Sequence, residues 1–148
     1  MNKVDLASGI AFEAHKHQMY GDKPYRVHLI QVAMKVSEMV FRENIGAYSL
    51  SFADLRSVAY LHDILEDTDY EFTKSDRDVL GEDVMSAVFA ITRKKGQDQA
   101  SYLDVVKSNS LAYAVKVADT MCNYEASVAI FDKRRIKKYA LQLADLLG

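Results

Sequence analysis

A single proline, Pro24, interrupts a chain of 148 residues whose apolar side chains recur almost throughout at three- and four-residue steps. That pairing constrains the fold more than any other feature. Steps of three and four place side chains on one face of a helix, and few prolines and only six glycines leave little to break one. Leu29, Val32, Ala33, Val36 and Val40 form such a face after Pro24. Asp5 is read as the cap of an earlier helix reaching Gln18, with Leu6, Ile10 and Ala14 on one side. Ser51 is read as the cap of a later helix in which Phe52, Leu55, Ala59 and His62 continue one face almost to the end of LHDILED.

The same reading predicts a short helix capped by Thr73 and ending at Leu80 and Gly81. A helix from Glu82 follows, with Val84, Val88 and Ile91 on one side. Helices near 99 to 107, 110 to 127 and 132 to 147 complete the chain, the last with Ile136, Ala140, Leu143 and Leu147 in register. No segment alternates with period two, and no repeat, low-complexity tract or linker is visible. The expectation is an all-α, single-domain helical bundle covering residues 1 to 148.

Composition narrows the partners. Nineteen Lys and Arg stand against 21 Asp and Glu, a formal net charge of -2, so no chain-wide field favours nucleic acid or a membrane surface. The basic run KRRIKK, residues 133 to 138, reads as the exposed side of an amphipathic helix. Cys122 has no partner for an internal disulfide. The N-terminal stretch lacks the apolar core of a secretory signal, and no run approaches 18 apolar residues, which together make a cytoplasmic protein the expectation. Nothing in the sequence fixes an oligomeric state.

Against this background three stretches stand out. YLHDILEDT, residues 60 to 68, gathers His62, Asp63, Glu66 and Asp67 where the helix pattern asks for a buried face. On a helix Glu66 and Asp67 lie one turn from Asp63, and His62 is about 100° away, so all four can border one cavity. Carboxylates crowded at a helix C-terminus oppose its dipole by about 0.3 to 1 kcal/mol each. In AYAVKVADTMCNYEA, residues 112 to 126, Lys116, Asp119 and Asn123 form a polar stripe on an otherwise apolar helix. Buried charges are paired or bind metals, so the stripe is either a Lys116 to Asp119 ion pair or part of a metal site. His28, just after the turn, is the third piece. Together His28, His62, Asp63 and Asp119 make a set of two imidazoles and two carboxylates, suited to a divalent transition metal rather than to calcium or a closed cysteine zinc site.

These stretches resemble the HD-domain phosphohydrolases, and within them the hydrolase domains of the RelA/SpoT type and their small stand-alone relatives. AHKHQMYGDKPYRVH is similar to that family's A-H-x-G-Q loop ending in P-Y-x-x-H, YLHDILEDT to its H-D-x-x-E-D-T, and VKVADTMCN to its V-K-x-A-D-x-x-x-N. The resemblance runs from about residue 5 to the C-terminus. It implies that His28, His62, Asp63 and Asp119 bind one Mn2+, or another divalent transition metal. It further implies that Glu66 and Asp67 position and activate a water, that Asn123 contacts a nucleotide, and that Lys116 stands beside the last metal ligand. The implied reaction removes the 3′-pyrophosphate of guanosine 3′-diphosphate 5′-di- or triphosphate, (p)ppGpp, a small-molecule nucleotide.

All four histidines, 15, 17, 28 and 62, precede Asp63, so the extra histidines of bimetallic HD phosphodiesterases are absent and one ion is expected. Lys23 and Arg26 flank the first ligand's loop, and Arg93, Lys94 and Lys95 follow a helix end, where they can meet phosphate or simply solvate a terminus. Tyr25 can stack on a base or pin its loop to the core. Where the family has glycine this chain has His17, and Met19 and Tyr20 occupy a loop one residue short, where an arginine that helps hold guanine is usual. Those departures keep a second reading open, the same chemistry on another nucleotide such as a nucleoside phosphate or a phosphorylated dinucleotide cofactor. A third reading, a non-catalytic nucleotide-sensing module, is weakened by the presence of both Glu66 and Asp67.

Overall fold

The computed structural model describes residues 1–43 and 50–148. Asn2 caps α1 (Lys3–Ala14) by accepting the Asp5 backbone N–H, so the helix begins before Asp5 rather than at it. It also stops at Ala14, short of Gln18, because the chain turns there into a small hairpin. β1 (Met19–Tyr20) and β2 (Lys23–Pro24) pair antiparallel, Met19 opposite Pro24 and Tyr20 opposite Lys23. The sequence predicts no strand, since two residues cannot display an alternation. Gly21, at φ 62°, supplies the left-handed conformation of the two-residue connection. The Tyr25 N–H donates to Gln18 O at 3.0 Å, closing the hairpin's base and starting α2 (Tyr25–Glu43).

Ser51 caps α3 (Phe52–Leu61) through the Asp54 N–H. The predicted helix through LHDILED is interrupted. His62 Nδ1 lies 2.6 Å from Ala59 O, the carbonyl that a continuing helix would offer to the Asp63 N–H. Asp63 takes φ -107° and ψ 0°, and the chain restarts as the single turn α4 (Ile64–Asp67). A capping box between Thr73 and Asp76 opens α5 (Lys74–Leu80). Then come α6 (Glu82–Ile91), α7 (Gln99–Lys107), α8 (Ser110–Ala129) and α9 (Lys133–Leu147), the last three capped by Asp98, Asn109 and Asp132.

Helices α2, α3, α6 and α8 form the centre of the bundle, with α1 against α3 and α9 along α8. Leu29, Val32 and Val36 of α2 lie in one buried cluster with Leu55, Val58 and Leu61 of α3 and Val115 and Ala118 of α8, all fully buried. Each such side chain contributes about 1.5 to 3 kcal/mol of burial when it is a full valine or leucine. On α1 the buried centre is Ala7 and Ala11, with Leu6 and Ile10 packed at its edge. On α9 Leu146 is the buried residue, and the predicted Leu147 is exposed. Among the described residues no helix is long and apolar enough to cross a membrane.

Candidate functional site

The interruption after Leu61 builds the site. It presents His62 and Asp63 from a turn between α3 and α4, toward His28 in the first turns of α2 and Asp119 in the middle of α8. One ligand atom from each of these four residues lies within 4.8 Å of the other three. His28 Nε2 is 2.9 Å from Asp119 Oδ1, and His62 Nε2 is 2.9 Å from Asp63 Oδ2 and 3.3 Å from Asp119 Oδ1. Both imidazoles and Asp119 are buried.

The donor chemistry fits a divalent cation. His62 Nδ1 is committed to Ala59 O, which fixes the ring and leaves Nε2 as the coordinating nitrogen of the neutral tautomer. Close as Nε2 is to two carboxylates, it makes no aligned hydrogen bond with either. Two nitrogens and two carboxylates gathered around a shared space are the donor set that a cation of the borderline transition series takes.

The members of the cluster shift one another's protonation. Burial alone would hold His62 neutral, but the Asp63 and Asp119 carboxylates outweigh it and keep its imidazolium favoured well above the usual histidine range. Burial would likewise raise Asp119, but His62, Lys116 and His28 hold its carboxyl well below the ordinary value. Asp63 is lowered in the same way by His62 against its own burial, with help from the Tyr25 hydroxyl, which donates to its Oδ2.

The ion-pair reading of the α8 stripe is realised, and the same Asp119 also belongs to the four-residue cluster. Lys116 Nζ lies 3.4 Å from Asp119 Oδ2, while Asp119 Oδ1 faces His28 and accepts from Asn123 Nδ2 at 3.2 Å. Lys116 also stands over the Tyr102 ring, 5.5 Å from its centroid.

The cluster opens onto a cavity of about 1000 Å³ whose wall includes Tyr25, Glu66, Asp67 and Asn123, with Lys23 at the rim. Glu66 accepts the Arg93 backbone N–H, and burial followed by the nearby Asp63 charge raises its carboxyl despite that bond. Asp67 Oδ2 accepts from Gln18 Nε2 at 3.0 Å. Arg93 and Lys116 do not line the cavity. The Arg93 guanidinium is engaged by Gln97 O and Gln99 Oε1, so the group it sends to the site is its backbone amide. Tyr25 serves neither of its two expected roles alone, being both buried and bonded to Asp63.

Of the other lining residues, the sequence does not single out Tyr139, marks Arg135 and Lys138 only as part of an exposed basic run, and marks Tyr20 only as standing where an arginine is usual. Arg135, Lys138 and Tyr139 fall at i, i+3 and i+4 on α9, a spacing that puts them on one face and could have separated them from the rest of KRRIKK. Tyr20 carries no sequence signal beyond its place in the loop.

No family model matches the chain, and no curated protein matches it in sequence. A solved structure does match in fold. It is described as a metazoan ortholog of SpoT that hydrolyzes ppGpp and plays a role in starvation responses. It superposes with a TM-score of 0.72 at 22% sequence identity, over 99% of this chain and 86% of that one. The chain therefore takes the all-α fold of the HD-domain type that its sequence predicts.

Proposed function

We propose that this chain is a divalent-metal-dependent nucleotide phosphohydrolase, with Mn2+ as its ion, that removes the 3′-pyrophosphate of (p)ppGpp. One observation carries the reading: His28, His62, Asp63 and Asp119 converge at a cavity whose wall also bears Glu66 and Asp67. The fold shared with a protein described as hydrolyzing ppGpp supports the choice of substrate. The whole chain, residues 1 to 148, is read as one catalytic domain working in the cytoplasm.

His28, His62, Asp63 and Asp119 would hold the ion, which when bound acidifies a water and offsets charge developing on a phosphoryl oxygen. The remaining work falls to the chain's own groups. Glu66, whose carboxyl burial raises, is suited to exchange a proton with the attacking water, and Asp67, held by Gln18, is suited to orient that water. Lys23, Arg135 and Lys138 along the cavity supply cations for a polyphosphate. Asn123 and the rings of Tyr20 and Tyr139 border the space left for a nucleoside.

A second reading, the same chemistry on another nucleotide, is favoured by one feature. Tyr20 donates to Asn123 Oδ1 at 2.6 Å, occupying the acceptor that a bound nucleotide would use. The two readings separate in a side-by-side panel of (p)ppGpp, nucleoside phosphates and phosphorylated dinucleotides, scored for pyrophosphate and orthophosphate. Pyrophosphate release from (p)ppGpp above all others supports the first. Preference for any other member replaces it with the second, and binding without product in every case leaves the sensing module.

A further inference from the structure

His15, at the C-terminal end of α1, is 2% exposed and lines no part of the cavity. Its Nδ1 lies 2.7 Å from Gln18 Oε1. A carboxylate oxygen only accepts, so the group Gln18 offers to Asp67 Oδ2 is its amide nitrogen, and its oxygen must face His15. Nδ1 therefore carries the hydrogen and donates it. The opposite nitrogen, Nε2, is buried without any partner.

An unpartnered buried polar atom is a cost that phenylalanine at this position would avoid, so filling space does not account for the residue. The ring also stacks on Tyr25, centroids 4.8 Å apart and planes 27° from parallel, and the Tyr25 hydroxyl donates to Asp63. One imidazole thus stands behind two carboxylates of the site, through Gln18 to Asp67 and through Tyr25 to Asp63.

We propose that His15 is a positioning residue: its Nδ1–H sets the orientation of the Gln18 carboxamide, which in turn fixes Asp67 for its role with the attacking water. This rests on the hydrolase reading for what Asp67 does, and on geometry alone for the His15 to Gln18 to Asp67 chain. The arrangement matches the way hydrogen-bond partners behind catalytic groups act, where loss of one typically costs about 10- to 100-fold.

The test uses the full chain and two readouts. The first is the side-chain amide resonances of Gln18 by NMR in metal-free protein. The second is kcat and KM with the best nucleotide of the panel. His15→Phe keeps a ring on Tyr25 but cannot donate, whereas His15→Asn restores a donor near Nδ1 without the ring. The proposal expects the Gln18 amide protons to lose their dispersed, protected signals in His15→Phe and to keep them in His15→Asn. It expects kcat to fall about 10- to 100-fold in His15→Phe at unchanged KM, with recovery in His15→Asn. It also expects His15→Phe to add no further loss in an Asp67→Asn background.

Gln18 signals identical to wild type in His15→Phe, or equal kcat losses in both His15 variants, would overturn it. Should His15→Phe fail to fold, Gln18→Leu removes the same link with the imidazole in place and must show the same kcat loss, or the proposal fails. If the wild type turns over no nucleotide, the hydrolase reading falls on that result, and the NMR comparison still decides the His15 link.

Discussion

Tyr20 lies flat on His28, ring centroids 4.3 Å apart and planes 12° from parallel, and its hydroxyl donates to Asn123 Oδ1. Because Asn123 passes its own amide to Asp119, a single hairpin residue braces two members of the four-residue cluster from outside. Burial and the Asp119 charge push the Tyr20 hydroxyl up to about 12, so it remains a donor throughout the neutral range.

Removing that ring should loosen the proposed metal site. Tyr20→Ala is expected to weaken Mn2+ binding about 10- to 100-fold, in the range of losses behind metal ligands, while Tyr20→Phe, which keeps the stack, loses less. Competition against a metal-binding dye reads both. Identical affinity for Tyr20→Ala and wild type would show that the stack does not hold His28.

Glu66→Gln and Asp67→Asn change charge with little change in shape at the cavity wall. Each is expected to lower turnover about 10²- to 10⁴-fold, the span of general acid and base catalysis, with Mn2+ stoichiometry unchanged. Metal content by elemental analysis beside product release checks this. Retention of full turnover in both variants would remove the two acids from the proton transfers.

The part-buried pair on α8 gives a stability prediction in which the ion is a variable. Lys116→Met leaves the buried Asp119 carboxylate without its cation at Oδ2; breaking a fully buried pair from one side costs about 3 to 5 kcal/mol, and this part-buried pair, whose carboxylate keeps its two histidines, is expected to cost less. Urea denaturation in chelator should show a destabilisation below that figure, and saturating Mn2+ should recover part of it by supplying the missing positive charge. An unchanged midpoint in chelator would mean that Lys116 does little for the fold.

Most of the bundle was legible because its faces repeat. The α2 face from Leu29 to Val36 and the α6 face of Val84, Val88 and Ile91 are buried as their spacing requires. The convergence of His28, His62, Asp63 and Asp119 was legible for a related reason, since charged or imidazole groups on apolar faces demand a partner. The break between α3 and α4 was hidden, because it depends on a side chain, His62, taking a backbone carbonyl that periodicity assigns to the helix. The hairpin from 19 to 24 was too short for any pattern. The cavity role of Arg135 and Lys138 depends on how α9 lies along α8, a tertiary relation that charge runs do not encode.

The capping box of α5 carries a pH dependence away from the site. Slight burial alone would raise the Asp76 carboxyl, but the Tyr70 hydroxyl and the Thr73 N–H that donate to it outweigh this and lower it. A depressed folded-state pKa means stability that is present above the unfolded value and lost as pH falls through the folded one. Asp76→Ala is expected to cost about 1 kcal/mol at neutral pH, within the range for one member of a capping box, with the gap to wild type closing in acid. Urea midpoints compared at neutral pH and below the ordinary carboxylate range read it, and a gap that does not narrow contradicts the assignment.

Mn2+ titrated into metal-free protein, with the unbound ion followed by electron paramagnetic resonance, speaks to whether the four converging side chains are a metal site at all. The expected result is saturation at one ion per chain, with binding lost in His28→Ala, His62→Ala, Asp63→Ala and Asp119→Ala variants that remain folded. Free Mn2+ rising in step with the amount added to wild type, or undiminished uptake in those variants, would contradict it.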